Sequence, residues 1–119
     1  MSKWYIPDMY WPARSSGRDY VSHEAVCVLN PSGQPCKIRI TLFFEDRDPA
    51  ELETVVCSAR RTVHIRMDAA KCTDGSAIPR GVGYAAIVDC DSGEAVVQYT
   101  RVDTTQPELA LMTAMAHRM

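Results

Sequence analysis

Alternation of apolar and polar residues with a period of two runs through most of this chain, and it restricts the fold more than any other feature. In "CKIRITLFFED", Ile38, Ile40, Leu42 and Phe44 share one side of an extended strand while Lys37, Arg39 and Thr41 share the other. "YVSHEAVCVLN" precedes it across the turn cluster "NPSGQP", which predicts that the two form an antiparallel pair. "LETVVCSARRTVHIRM" is too long for one ordinary strand, so a break or bulge is expected near Ser58 to Arg61, with a strand on each side. After the loop "AAKCTDGSAIPRG", the segments "VGYAAIVDC" and "AVVQYTRVD", joined by "DSGE", predict a second hairpin. Short strands at this spacing imply an all-β fold, an antiparallel β-sandwich of jelly-roll-like type.

The end of the chain changes character. "TQPELALMTAMAHRM" carries Thr105 with Glu108 three residues later, Pro107 in the first turn, then strong helix formers ending in His117 and Arg118. These signals predict a short C-terminal α-helix over about residues 106–117, ordered by docking because so short a helix is marginal alone. At 119 residues the chain is expected to form a single domain, 1–119, able to bury roughly two-thirds of its unfolded surface.

A formal net charge of -2 and a pI near 5.9 exclude the global basic field of a dedicated DNA-binding protein. The N-terminus lacks the pattern of an export signal, and no run of about 18 apolar residues occurs, so a cytoplasmic location is expected. The cysteines, Cys27, Cys36, Cys57, Cys72 and Cys90, are odd in number and form no C-x-x-C pair. Reduced thiols fit better than a disulfide framework, and Cys27 and Cys57 read as small buried hydrophobes.

Several residues could carry a function. In "SARRTVHIRM" alternation places Arg60, Thr62, His64 and Arg66 in one row, with Arg61, Val63, Ile65 and Met67 mostly turned to the core. Arg offers rigid bidentate donors for carboxylates, phosphates or sugar hydroxyls, and "QYTRVD" supplies a second set in Gln98, Thr100, Arg101 and Asp103. Internal or interfacial ion pairing is the leading reading of these arginines, ahead of a sugar or small anionic ligand held by Arg60, His64 and Arg101; DNA contact ranks lower. His23 and Glu24 are adjacent, hence on opposite faces of their strand, and make a weak catalytic signal. No nucleophile motif, phosphate-binding glycine loop or metal-ligand spacing occurs, so no catalytic residue, cofactor or metal is predicted, and an unrecognised hydrolase using His64 stands last. Trp4, Tyr5, Tyr10 and Trp11, with Pro7 and Pro12, predict an extended aromatic segment covering the sandwich or a subunit contact.

Taken together, "Trp4...Ile6-Pro7", "SHEAVCVLN", "IRITLFFED", "ARRTVHIR" and "VVQYTRVDTTQPELALMTAMA" resemble the sensory rhodopsin transducer family over roughly Trp4 to Ala116. The resemblance implies a cytoplasmic β-sandwich that assembles as a homotetramer and, in the name-giving member, docks on the cytoplasmic side of a microbial rhodopsin to relay a light signal. It also implies a topology like that of carbohydrate-binding sandwiches, and DNA contact as a further possibility. The matching positions are His23, Glu24, Arg60, Arg61, Thr62, His64, Gln98, Thr100, Arg101, Asp103 and Gln106, for which it implies no catalytic role. "DMYWPARSSGRD" and "MDAAKCTDGSA" depart from its motifs, and such loops are where a partner would be chosen.

Overall fold

The computed structural model describes residues 1–16 and 20–119; the end of "DMYWPARSSGRD" therefore lies outside the described residues. Among the described residues ten strands follow one another: β1 (Ser2–Met9), β2 (His23–Asn30), β3 (Cys36–Phe44), β4 (Ala50–Glu51), β5 (Val55–Cys57), β6 (Arg61–Arg66), β7 (Tyr84–Cys90), β8 (Val96–Asp103), β9 (Ala110–Met115) and β10 (His117–Arg118). They form two antiparallel sheets. One has the order β10-β1-β7-β3-β4, with β5 also on β3; the other runs β6-β2-β8-β9. Inward residues of both sheets, among them Ile6, Ile40 and Val88 from the first and Val26, Ile65 and Val97 from the second, merge into one apolar cluster. This is the expected antiparallel sandwich, and the alternation is what builds it, because each strand has one face to bury.

Neither predicted hairpin forms. β2 pairs with β6 and β8, whereas β3 pairs with β4, β5 and β7, so "NPSGQP" arches from one sheet to the other. The buried Asn30 holds that arch. Its Nδ2 donates to the carbonyls of Gln34 at 2.8 Å and of Cys57 and Ser58 at 3.2 Å, while its Oδ1 accepts from Ser32 N at 3.1 Å and Ser32 Oγ at 2.8 Å. Likewise β7 and β8 lie in different sheets, and the connection through "DSGE" is a second arch, tied to the N-terminus by Ser2 Oγ donating to Ser92 O at 2.6 Å. Alternation tells which face of a strand is buried. It does not tell which strand lies beside it.

The predicted helix over 106–117 is also replaced, by β9 and β10. The side-chain cap goes elsewhere: Asp103 Oδ1 accepts from Thr105 N at 2.9 Å and Thr105 Oγ1 at 2.7 Å, an Asx turn in place of the Thr105–Glu108 capping box. Beyond that turn the open edge of β8 offers backbone partners to Ala110–Met115, which a marginal helix could not match. At Ala116 the chain crosses to the other sheet, where Tyr5 pairs with His117 and Trp4 with Arg118. No helix occurs among the described residues, so none there is long and apolar enough to cross a membrane.

The expected break in the long segment is present. β5 ends at Cys57, β6 starts at Arg61, and Arg60 between them adopts φ 54°, the left-handed region. The N-terminal segment is more than a cover: β1 lies between β10 and β7, and its register shift between Ile6 and Met9 accommodates Pro7 inside a paired strand. Trp4 and Trp11 are buried. Cys57 is buried as expected, but Cys27 is only half-buried, because it faces outward with His23 and Leu29 on β2.

Candidate functional site

Parity on β2 puts Glu24 on the same face as Val26 and Val28, and the structure buries it completely. A carboxylate there needs donors, and two strands and the segment after β1 supply them. Tyr84 Oη, from β7 of the opposite sheet, donates to Oε1, and Tyr99 Oη, from β8, donates to Oε2. The main-chain N–H of Tyr10, just past β1, donates to Oε2 at 3.1 Å. Arg101, the cross-strand partner of Glu24, stands behind them, its Nε donating to Tyr99 Oη at 3.0 Å. Its guanidinium lies 5.8 Å from the Tyr10 ring centroid and 5.7 Å from that of Tyr99, and its Nη2 is 4.0 Å from Asp8 Oδ1.

Every group facing Glu24 is a donor. Burial nevertheless pushes the carboxyl above the usual range, and the bonds from Tyr84, Tyr99 and Tyr10, with the charge of Arg101, pull only part of the way back. Burial, reinforced by the neighbouring carboxylate, drives both tyrosine hydroxyls well above their ordinary values, so they stay protonated and remain donors. Arg101 Nη2 is buried without a hydrogen-bond partner. A groove of about 280 Å³ lined by Pro7, Asp8, Phe44, Gly83 and Tyr84 reaches the outer side of this cluster. What the arrangement can do is tie β1, β2, β7 and β8 together through one buried carboxyl.

The other predicted residues fall into separate groups. Thr62, His64 and Arg66 are exposed on β6, opposite Leu29, Cys27 and Ala25 of β2. Arg66 is satisfied by Asp68, with Nε at 2.8 Å from Oδ1 and Nη2 at 2.7 Å from Oδ2, and this pairing holds Asp68 below its usual pKa. Arg61 Nη1 donates to Arg60 O at 3.0 Å. His23 faces outward, its Nδ1 2.8 Å from Val21 O, a geometry that places the proton on Nδ1. Gln98 and Thr100 turn to the outer face and meet Thr113 of β9, at 2.7 and 3.3 Å. Asp103 serves the Asx turn.

Arg101 points inward and His64 outward from the same sheet, so the two do not converge on one small ligand. Of the residues singled out in the sequence, Glu24 and Arg101 are brought together, and Tyr10, read there as part of an aromatic cover, joins them through its main-chain N–H; Tyr84, Tyr99 and Asp8 complete the cluster and were missed. A usable signal existed for Tyr84 and Tyr99. Tyr99 shares parity with Val97, and Tyr84 with Ala86 and Val88, so each hydroxyl had to find a buried partner.

No curated protein matches the chain. Its fold resembles the crystal structure of Thermotoga maritima 1070, with a TM-score of 0.81 and 32% identity over 98% of this chain and 92% of that one. It also resembles the Anabaena sensory rhodopsin transducer, with a TM-score of 0.74 and 30% identity over 89% of this chain and 91% of that one. The family model described as Anabaena sensory rhodopsin transducer matches residues 1–118, and on that match the chain belongs to the Anabaena sensory rhodopsin transducer family.

Proposed function

We propose that this protein is a non-enzymatic adaptor that works as a homo-oligomer, a tetramer, and relays a signal from the cytoplasmic face of a membrane receptor of the rhodopsin type. Family membership supports the receptor class. The observation that carries the oligomer is β9. All six of its residues, Ala110–Met115, are exposed, Leu111 at 68% and Met115 at 60%, and none is charged. An edge strand without charge or proline is an invitation to pair, which proteins that stay monomeric avoid. Burial of the same strand between subunits removes that hazard.

Light scattering on the purified protein at micromolar concentration is expected to give the mass of a tetramer. The double variant Leu111→Lys and Met115→Lys is expected to shift it to a smaller species that remains folded. The intact protein is then expected to sediment with membranes containing a microbial rhodopsin and not with empty membranes. A monomer in the first measurement would remove the assembly, and equal sedimentation in the last would remove the receptor.

A further inference from the structure

The four-stranded sheet has two end strands, and they differ in chemistry. β9 is uncharged, whereas β6 carries Arg61, His64 and Arg66, with Arg60 just before it. The main-chain N–H of Met67 donates to Glu24 O at 2.9 Å, and that pair sets the register of β6 against β2. Odd-numbered residues of β6 therefore bond β2, while Thr62, His64 and Arg66 turn their main-chain groups outward; Arg66 O accepts from Ala69 N at 3.2 Å and Ala70 N at 3.0 Å, which leaves Thr62 and His64 as the open positions. No strand among the described residues meets them there.

Outside that edge lies a groove of about 380 Å³, within the size range of small binding sites. Its floor is apolar, with Ile40, Leu52 and Ile65, and its rim includes His64, Lys71 and one carboxylate, Glu53. Arg66 is occupied by Asp68, but neither Lys71 nor Arg60 has an ion-pair partner among the described residues. Strand-addition recognition needs an open edge for main-chain bonds and apolar pockets for alternate side chains; this edge has both, with Lys71 on the groove and Arg60 just before β6 adding positive charge.

We propose that the edge of β6 accepts an extended acidic peptide as an added strand, its alternate apolar side chains on Ile40, Leu52 and Ile65 and its carboxylates toward Lys71 and Arg60. A second copy presenting its own β6 would oppose arginines to arginines, which disfavours that pairing. The inference deepens the transducer reading by naming the receptor feature that is read, an extended acidic cytoplasmic segment. The binding itself does not depend on that reading: a protein that holds the peptide but ignores rhodopsin membranes separates the two.

The test is a titration of the isotope-labelled full chain with the peptide acetyl-Glu-Val-Glu-Val-Glu-amide, followed by nuclear magnetic resonance. Saturable shifts and slowed amide exchange are expected at Thr62 and His64, with affinity falling as salt rises. The lysine counterpart of the peptide is expected to bind roughly tenfold more weakly, and Lys71→Glu to reverse that preference. His64→Pro removes an outward donor while sparing the ladder to β2, and is expected to abolish binding. Should that variant not fold, Lys71→Glu carries the test. The proposal is overturned by absence of saturable shifts at about 1 mM peptide, by an unchanged preference in Lys71→Glu, or by Thr62 and His64 amides already protected in a concentration-dependent way, which would put another copy on the edge.

Discussion

At the scale of single residues, Glu24 sets the terms. Its folded pKa is raised, so the folded state binds the proton more tightly than the unfolded chain does. The resulting stability is fully present below the ordinary value of 4.5 and is lost as pH rises through the raised folded value. Chemical denaturation as a function of pH is therefore expected to show stability falling above pH 4.5 in the native protein, and a flatter profile in Glu24→Gln, which has nothing to titrate there. Tyr84→Phe leaves Oε1 without its donor and is expected to cost about 1–3 kcal/mol at neutral pH. It also steepens the pH dependence, because the carboxyl rises further. A Tyr84→Phe profile parallel to that of the native protein would mean that the Tyr84 bond does not tune Glu24. The inward parity of Glu24 with Val26 and Val28 was visible in "SHEAVCV", and so a buried carboxyl was legible; the donors were not, because Tyr84 sits in the opposite sheet.

At the scale of elements, alternation located β2, β3, β6, β7 and β8 and the break before Arg61, since each strand writes its buried face into its own residues. Which strands become neighbours is decided by the arches, and the arches depend on contacts distant in sequence. Asn30 is the case in point: it reads as the first residue of a turn, yet its amide bonds the carbonyls of Cys57 and Ser58 at the end of β5. Asn30→Ala is expected to cost about 3 kcal/mol by leaving several buried groups unpaired. Asn30→Asp keeps the acceptor for Ser32 but loses every donor, so it is expected to fare no better. An Asp variant as stable as the native protein would show that the Ser32 bonds alone hold the arch. The C-terminal segment was misread for a related reason. Its residues favour helix locally, and only the vacant edge of β8 makes a strand the better answer.

At the scale of the whole molecule, the isolated chain exposes too much. Its accessible surface is 7060 Å² for 13.3 kDa, against roughly 6,450 Å² for a monomer of that mass. Its radius of gyration is 14.3 Å, against about 13.5 Å for a compact chain of this length. The surplus of about 600 Å² is close to the roughly 800 Å² that one partner contributes to a standard interface, and β9, with Leu109 before it, holds a dense patch of exposed apolar side chains. If assembly covers that surface, folding and association are linked, and the thermal midpoint must depend on concentration. For a tetramer a tenfold increase in protein adds about 1 kcal/mol per protomer, which raises the midpoint by several degrees. The Leu111→Lys and Met115→Lys double variant is expected to melt lower, with a midpoint that depends less on concentration. A native midpoint that stays fixed over a wide range of concentration would leave β9 uncovered in solution and the surplus surface without an owner.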